Sequence, residues 1–109
     1  MEDSASTVKI EFYAPEENAG TIRLALGAAG FGKIGSYDSC ASETKVRGYW
    51  RPLEGSKPHL GKQGEIFSGD EIKVEFLCER DRAADAVRLI RSLHPYEEPV
   101  IMVVPLLAL

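Results

Sequence analysis

Residues 7–13, Thr-Val-Lys-Ile-Glu-Phe-Tyr, alternate in polarity: Val8, Ile10 and Phe12 fall on one side, Lys9, Glu11 and Tyr13 on the other. A period of two, rich in β-branched and aromatic residues, predicts a half-buried strand. Pro15-Glu16-Glu17 reads as a helix start, since proline fits the first turn and carboxylates suit the positive end of the helix dipole. Ala19, Ile22, Leu26 and Ala29 share one helical face, and Gly30 and Gly32 end the helix. Gly20 and Gly27 lower its intrinsic propensity, so it depends on packing. Residues 34–46 are predicted to be a polar strand. Residues 48–64, punctuated by glycine and proline, read as an extended arm or a long hairpin loop; connections of this length are usually functional or interface-forming. Residues 71–79 alternate again, with Ile72, Val74, Phe76 and Cys78 inward. Over residues 81–93, Ala83, Ala86, Val87, Ile90 and Leu93 make an apolar stripe, with Arg82, Asp85, Arg88 and Arg91 outside it, and Pro95 closes the helix. Residues 100–107 form a last strand, apolar on both faces.

The order β-α-β-β-α-β is the ferredoxin-like pattern: an α+β sandwich, an antiparallel sheet with two helices on one face. In that topology the last strand lies at a sheet edge, and an apolar edge invites association unless it is covered. The expectation is a homo-oligomer whose contact uses this edge and the arm. The other reading is a C-terminal tail folded over its own edge.

A chain of 109 residues fits one domain, with disorder expected only over residues 1–6. The net charge of −4, with lysines and arginines scattered, argues against nucleic acid as a partner. Residues 100–109 are too short a run to cross a bilayer and contain Pro105, so no membrane role is expected. Residues 1–7 lack the basic and apolar regions of a signal peptide. The chain therefore reads as soluble and cytoplasmic. Two cysteines, Cys40 and Cys78, are too few for a disulfide framework.

Three motifs carry a family resemblance. They are Gly30-Phe31-Gly32-Lys33-Ile34-Gly35-Ser36-Tyr37-Asp38-Ser39-Cys40, then Gly48-Tyr49-Trp50-Arg51-Pro52-Leu53-Glu54-Gly55-Ser56-Lys57-Pro58 with Gly61 and Gly64 beyond it, and His94-Pro95-Tyr96-Glu97-Glu98-Pro99 followed by Pro105. Together the chain resembles the CutA/PII-like insertion domain of the YqfO (NIF-three-like) family, with Trp50 in place of that domain's usual phenylalanine. The last motif is also similar to one in CutA. The resemblance implies a ferredoxin-like fold and, by analogy with CutA, a trimer. Full-length family members bind two metal ions on flanking domains that this sequence lacks, so no hydrolase or GTP cyclohydrolase activity is expected. A fold does not convey a function.

Several residues are candidates for chemistry. His94 follows the second helix, with Glu97 and Glu98 close behind, and imidazole with carboxylates suits Zn²⁺ or Cu²⁺. Alternatively His94 caps the helix carbonyls while Pro95 and Pro99 frame a rigid turn and Tyr96 packs. His59 in the arm completes a metal site with His94 and Glu97, from the same or a neighbouring subunit, or is a plain surface histidine. Cys40 and Cys78 fall on consecutive predicted strands and are either soft ligands for Cu(I) or small buried hydrophobes. Arg51 and Lys57, with Glu54, suit an anionic ligand, yet no phosphate-loop or dinucleotide motif is present. Tyr37, Tyr49 and Trp50 are interface anchors or packing for the arm. The function expected is a non-enzymatic, oligomeric binding or regulatory module. Its effector would sit at clefts built from the arm and the 94–99 turn, touching Tyr37, Arg51, Glu54, His94, Tyr96, Glu97 and Glu98. The alternative is a divalent-metal-binding protein of CutA type, and a partner protein stays open in either case.

Overall fold

Strand β1 (Thr7–Ala14) buries Val8, Ile10, Phe12 and Ala14, the residues its alternation assigns to the core. This comes from a computed structural model, which describes residues 6–107. The elements that follow are α1 (Glu16–Ala28), β2 (Ser42–Trp50), β3 (Phe67–Glu79), a 3-10 turn at Arg80–Arg82, α2 (Ala83–Leu93) and β4 (Ile101–Pro105). The sheet order is β2-β3-β1-β4 and every pairing is antiparallel. This is the ferredoxin-like α+β fold that the sequence predicts. The expected disorder over residues 1–6 concerns residues 1–5, which lie outside the described residues; Ser6 accepts a hydrogen bond from the Arg80 amide.

The core lies between one sheet face and the helices. β3 contributes Ile72, Val74, Phe76 and Cys78, α1 contributes Ala19, Ile22 and Leu26, and α2 contributes Ala83, Ala86 and Ile90. Leu89 packs against this cluster, whereas Leu93, placed on the stripe by periodicity, is exposed. On the opposite sheet face Lys9 pairs with Glu11 and Glu75. Charge thus covers the open face of the two central strands.

The hairpin strands differ most from the sequence prediction. Residues 34–41 are not strand. Gly32 and Gly35 take positive φ, and paired hydrogen bonds between Ile34 and Tyr37 close a tight turn. The Cys40 amide then returns to the Gly32 carbonyl. Gly32 is required there, because a Cβ would stand 2.5 Å from the Cys40 carbonyl oxygen. The hairpin is correspondingly longer at its other end: β2 runs to Trp50 and β3 starts at Phe67, with Gly48 opposite Gly69. The arm is therefore residues 51–66.

β4 is an edge strand, as predicted; Met102 (38%) and Val103 (43%) in it and Val100 (55%) just before it stay exposed, while Ile101 packs against the core. Among the described residues no helix is long and apolar enough to cross a membrane.

Candidate functional site

The end of the β2–β3 hairpin projects past the core, and alternation puts Gly48, Trp50, Phe67 and Glu71 on its open face. Trp50 stacks on Phe67, with ring centroids 4.8 Å apart, and its indole N–H donates to the Leu60 carbonyl at 3.1 Å. One side chain thus pins the arm to the sheet. The base of the arm is closed by the Gly64 amide donating to the Pro52 carbonyl at 2.8 Å. Gly61, at φ +97°, turns the chain beside Phe67.

The 94–99 turn wraps from the helix side of the sheet to this face. Its Tyr96 ring lies 5.7 Å from Trp50, 6.0 Å from His59 and 4.8 Å from His94. The Tyr96 hydroxyl donates to Glu71 Oε2 at 2.8 Å, and the Lys57 amide donates to Glu97 Oε2 at 2.9 Å, tying arm to turn. Burial first, and the Glu71 carboxylate second, push the Tyr96 phenol well above its usual range, so it remains a donor. Between arm, hairpin and turn lies an open cleft of about 710 Å³. That volume lies within the range of small-molecule sites, about 300–1,000 Å³.

The cleft gathers most of the residues singled out from sequence: Arg51, Glu54, His59, Tyr96, Glu97 and Glu98 all line it. Tyr37 is a correction. It sits in the Ile34–Tyr37 turn, 74% exposed and away from the cleft lining, because residues 34–41 turn instead of extending.

His94 is a second correction. It lies behind Tyr96, 9% exposed, with its ring edge-on to Phe12. Its Nε2 is 2.6 Å from the Tyr13 carbonyl oxygen, which only accepts, so Nε2 carries the proton. Its Nδ1 accepts from the Tyr96 amide at 3.1 Å. Both nitrogens are committed to backbone, which removes His94 from the metal set with Glu97 and His59. The side chain does not cap helix carbonyls either; only the His94 backbone amide does, donating to Ile90. His94 instead sews α2's end to β1 and orients Tyr96. Among the described residues no group of three His, Cys, Asp or Glu side chains is arranged to hold a metal ion.

The cysteines do not form a strand-to-strand pair of ligands. Cys40 lies in the connection before β2 and turns its thiol toward the Asp38 carbonyl. Cys78 is buried, and burial raises its pKa, which keeps it a thiol.

Burial holds the His94 pKa below its usual value, against the upward pull of the Tyr13 carbonyl and Glu71, with His59 adding to the lowering. The unfolded imidazole takes its proton near pH 6.5 and the folded one lower, so between those values the unfolded state binds more protons. This contribution to stability is complete above about pH 6.5 and is lost as pH falls toward the folded value. His94→Gln is expected to flatten that part of the profile. The check is the thermal midpoint of wild type and variant between about pH 7.5 and 5. Parallel curves would show that His94 does not carry the dependence.

Two residues of the cleft escaped the sequence reading. Glu71 looked like any polar position on an open sheet face, yet it is only 7% exposed because the Tyr96 turn and the hairpin enclose it. Gly48 makes room for it: a Cβ at 48 would stand 2.0 Å from Glu71 Oε1. The nearest sequence signal was the pair Gly48 and Gly69, which the hairpin register sets opposite each other.

Sheet order, the helix-covered face and the arm define a CutA-like α+β domain of ferredoxin type. The divalent ion tolerance protein CutA1 from Ehrlichia chaffeensis superposes with a TM-score of 0.73 at 16% identity, over 98% of this chain and 87% of its own, which shows the fold alone. A Bacillus cereus protein related to NIF3 superposes with a TM-score of 0.81 at 28% identity, over 96% of this chain and 27% of that protein. In sequence, the GTP cyclohydrolase 1 type 2 homolog of Halalkalibacterium halodurans is 36% identical over 101 residues, 93% of this chain and 27% of the relative. No family model matches the chain. The chain is thus a counterpart of one domain of the NIF3-related proteins and spans about a quarter of the length of the relatives it matches. The resemblance read from the three motifs holds along nearly the whole chain.

Proposed function

We propose that this chain is a non-catalytic, oligomeric binding module whose small-molecule effector occupies the cleft between arm, hairpin and 94–99 turn. The observation that carries this is the cleft itself: an aromatic wall of Trp50 and Tyr96, held by hydrogen bonds from three separate segments, with polar groups converging from the arm and turn. Such a combination is what small-molecule sites share. The arm forms much of the cleft's lining, so occupancy would stiffen it and be felt at a neighbouring subunit. The relatives' name speaks of GTP cyclohydrolase, but the match covers about a quarter of their length, and catalysis is not part of this reading.

The test is a thermal-shift screen with small molecules of all charge classes, run on wild type and Tyr96→Leu. A ligand at a hundred times its dissociation constant adds about 2.7 kcal/mol, which in a domain of this size raises the midpoint by roughly 10 °C or more. At least one compound should do this in wild type and not in the variant. A screen without a Tyr96-dependent stabiliser would defeat the reading. Tight Zn²⁺ or Cu²⁺ binding at fixed stoichiometry would replace it with the divalent-metal alternative.

Self-association, a trimer in the reading from resemblance, is supported by the bare apolar edge of β4. Val103→Asp should convert the assembly to monomers while leaving the circular dichroism spectrum unchanged. Light scattering gives the mass; a variant that keeps the wild-type mass would place the interface elsewhere.

A further inference from the structure

The charge in the cleft is lopsided. Glu54, Glu71, Glu97 and Glu98 line it against Arg51. The arm's other nearby cation, Lys57, contributes its backbone amide, not its ammonium, to Glu97. An anionic ligand, which Arg51 and Lys57 suggest when read along the chain, would enter a field of carboxylates.

Glu71 gives that imbalance a focus. It is more than nine-tenths buried, and among the described residues no lysine or arginine pairs with it. Its Oε2 accepts from the Tyr96 hydroxyl. Its Oε1 has no hydrogen-bond partner among the described residues, and the residue lines the cleft. His94 gives Glu71 no counter-charge: burial disfavours its charged form, and its Nδ1 accepts from the Tyr96 amide, which requires the neutral ring. A buried carboxylate without a counter-charge is costly, and here it is built into an aromatic wall. The Trp50 and Tyr96 rings stand 5.7 Å apart, and the negative face of an aromatic ring attracts cations.

We propose that the cleft selects an organic cation, a protonated amine, amidinium or quaternary ammonium group, seated against the Trp50 and Tyr96 rings with its charge directed at the Glu71 carboxylate. This rests on the cleft being the effector site. The ligand supplies the counter-charge that Glu71 lacks in the free protein. Glu54 and Glu98 at the rim add long-range attraction. The same logic disfavours nucleotides and other phosphorylated ligands here.

Trp50 is the chain's single tryptophan, so its emission reports on the cleft directly. The experiment titrates the full chain with benzyltrimethylammonium, with benzoate as an anion of similar size and benzyl alcohol as the neutral analogue, all at constant ionic strength. Benzyltrimethylammonium should give a saturable change, with benzoate at least tenfold weaker. Glu71→Gln should weaken the cation about tenfold and leave benzyl alcohol unaffected. With no ligand present, the same substitution should hold or raise the thermal midpoint, because it removes an uncompensated buried charge. A purely structural role for Glu71 would instead lower the midpoint and leave the preference for cation over neutral analogue intact. The doubly substituted Glu54→Gln/Glu98→Gln protein, altered only at the rim, should bind the cation severalfold more weakly and fold normally. Benzoate binding as well as the cation, or a Glu71→Gln protein with undiminished cation affinity, would overturn the proposal. If benzoate or benzyl alcohol saturates in a Tyr96-dependent way, the cleft stands as the effector site and only its selectivity is refuted. If none of the three probes changes the emission, the cation proposal falls, and the thermal-shift screen then decides the effector site separately.

Discussion

Ile90→Asp is expected to leave no folded domain at 25 °C. Ile90 is fully buried, and of the three residues that α2 buries, Ala83, Ala86 and Ile90, it is the one large side chain, with Leu89 packed only partly buried against the cluster. Removing that side chain forfeits about 1.5–3 kcal/mol of apolar burial. Placing an unpaired carboxylate among Ile10, Phe12 and Ile22 costs several kcal/mol more. The sum rivals the total stability of a small domain, about 5–15 kcal/mol. Arg91→Asp, one residue along on the exposed side, should change stability by no more than about 0.5 kcal/mol. Circular dichroism with a thermal melt separates the two. A cooperative Ile90→Asp transition within a few degrees of wild type would mean that α2 is not anchored as described.

The core was legible in the sequence because it obeys simple periods. Val8, Ile10 and Phe12, and again Ile72, Val74 and Phe76, alternate, since each central strand has one face on the helices and one in solvent. Ala83, Ala86 and Ile90 recur at helical spacing for the same reason. β2 was misplaced because that condition fails there. As an edge strand it buries no residue fully, its first half is exposed throughout, and only Val46, Gly48 and Trp50 are half-buried, so no hydrophobic period marks where it begins. Glycine was a better guide to residues 34–41 than polarity was, since positive φ at Gly32 and Gly35 frames a turn where the polar run over 34–46 suggested a strand.

The site was legible as a set of residues and not as an arrangement. Arg51, Glu54, His59, Tyr96 and Glu97 do converge. What no spacing reveals is that His94 spends both nitrogens on Tyr13 and Tyr96 backbone, or that Glu71 is buried from the open side of the sheet by a turn 25 residues away. Metal ligation, helix capping and positioning of Tyr96 all require the same residue in the same place; only the partners of its two nitrogens tell them apart. The cysteines failed for a related reason. Their pairing assumed that Cys40 was on a strand, and the Gly32 turn takes it off one.

Gly48→Ala should destabilise the domain by about 1–3 kcal/mol, and the sign is the informative part. In an extended strand alanine is ordinarily favoured over glycine by roughly 0.5–1 kcal/mol, because glycine loses more freedom on folding. Here the new Cβ would stand 2.0 Å from Glu71 Oε1 and 2.9 Å from Glu71 Cδ. The carboxylate must swing away, which breaks its bond from the Tyr96 hydroxyl and leaves both groups half-buried without partners, a loss of about 1–3 kcal/mol. In a Glu71→Ala background the obstruction is gone, and Gly48→Ala should become neutral or stabilising. Denaturant midpoints of wild type, both single variants and the double variant close the cycle, with an expected coupling of about 2–3 kcal/mol. The same four proteins, read by Trp50 emission, connect packing to binding: Gly48→Ala should lose ligand response along with Glu71→Ala, because each removes the carboxylate from the Trp50–Tyr96 wall. Equal costs for Gly48→Ala in the two backgrounds would show that the Glu71 carboxylate is not what glycine accommodates. The cleft would then owe its depth to the arm alone.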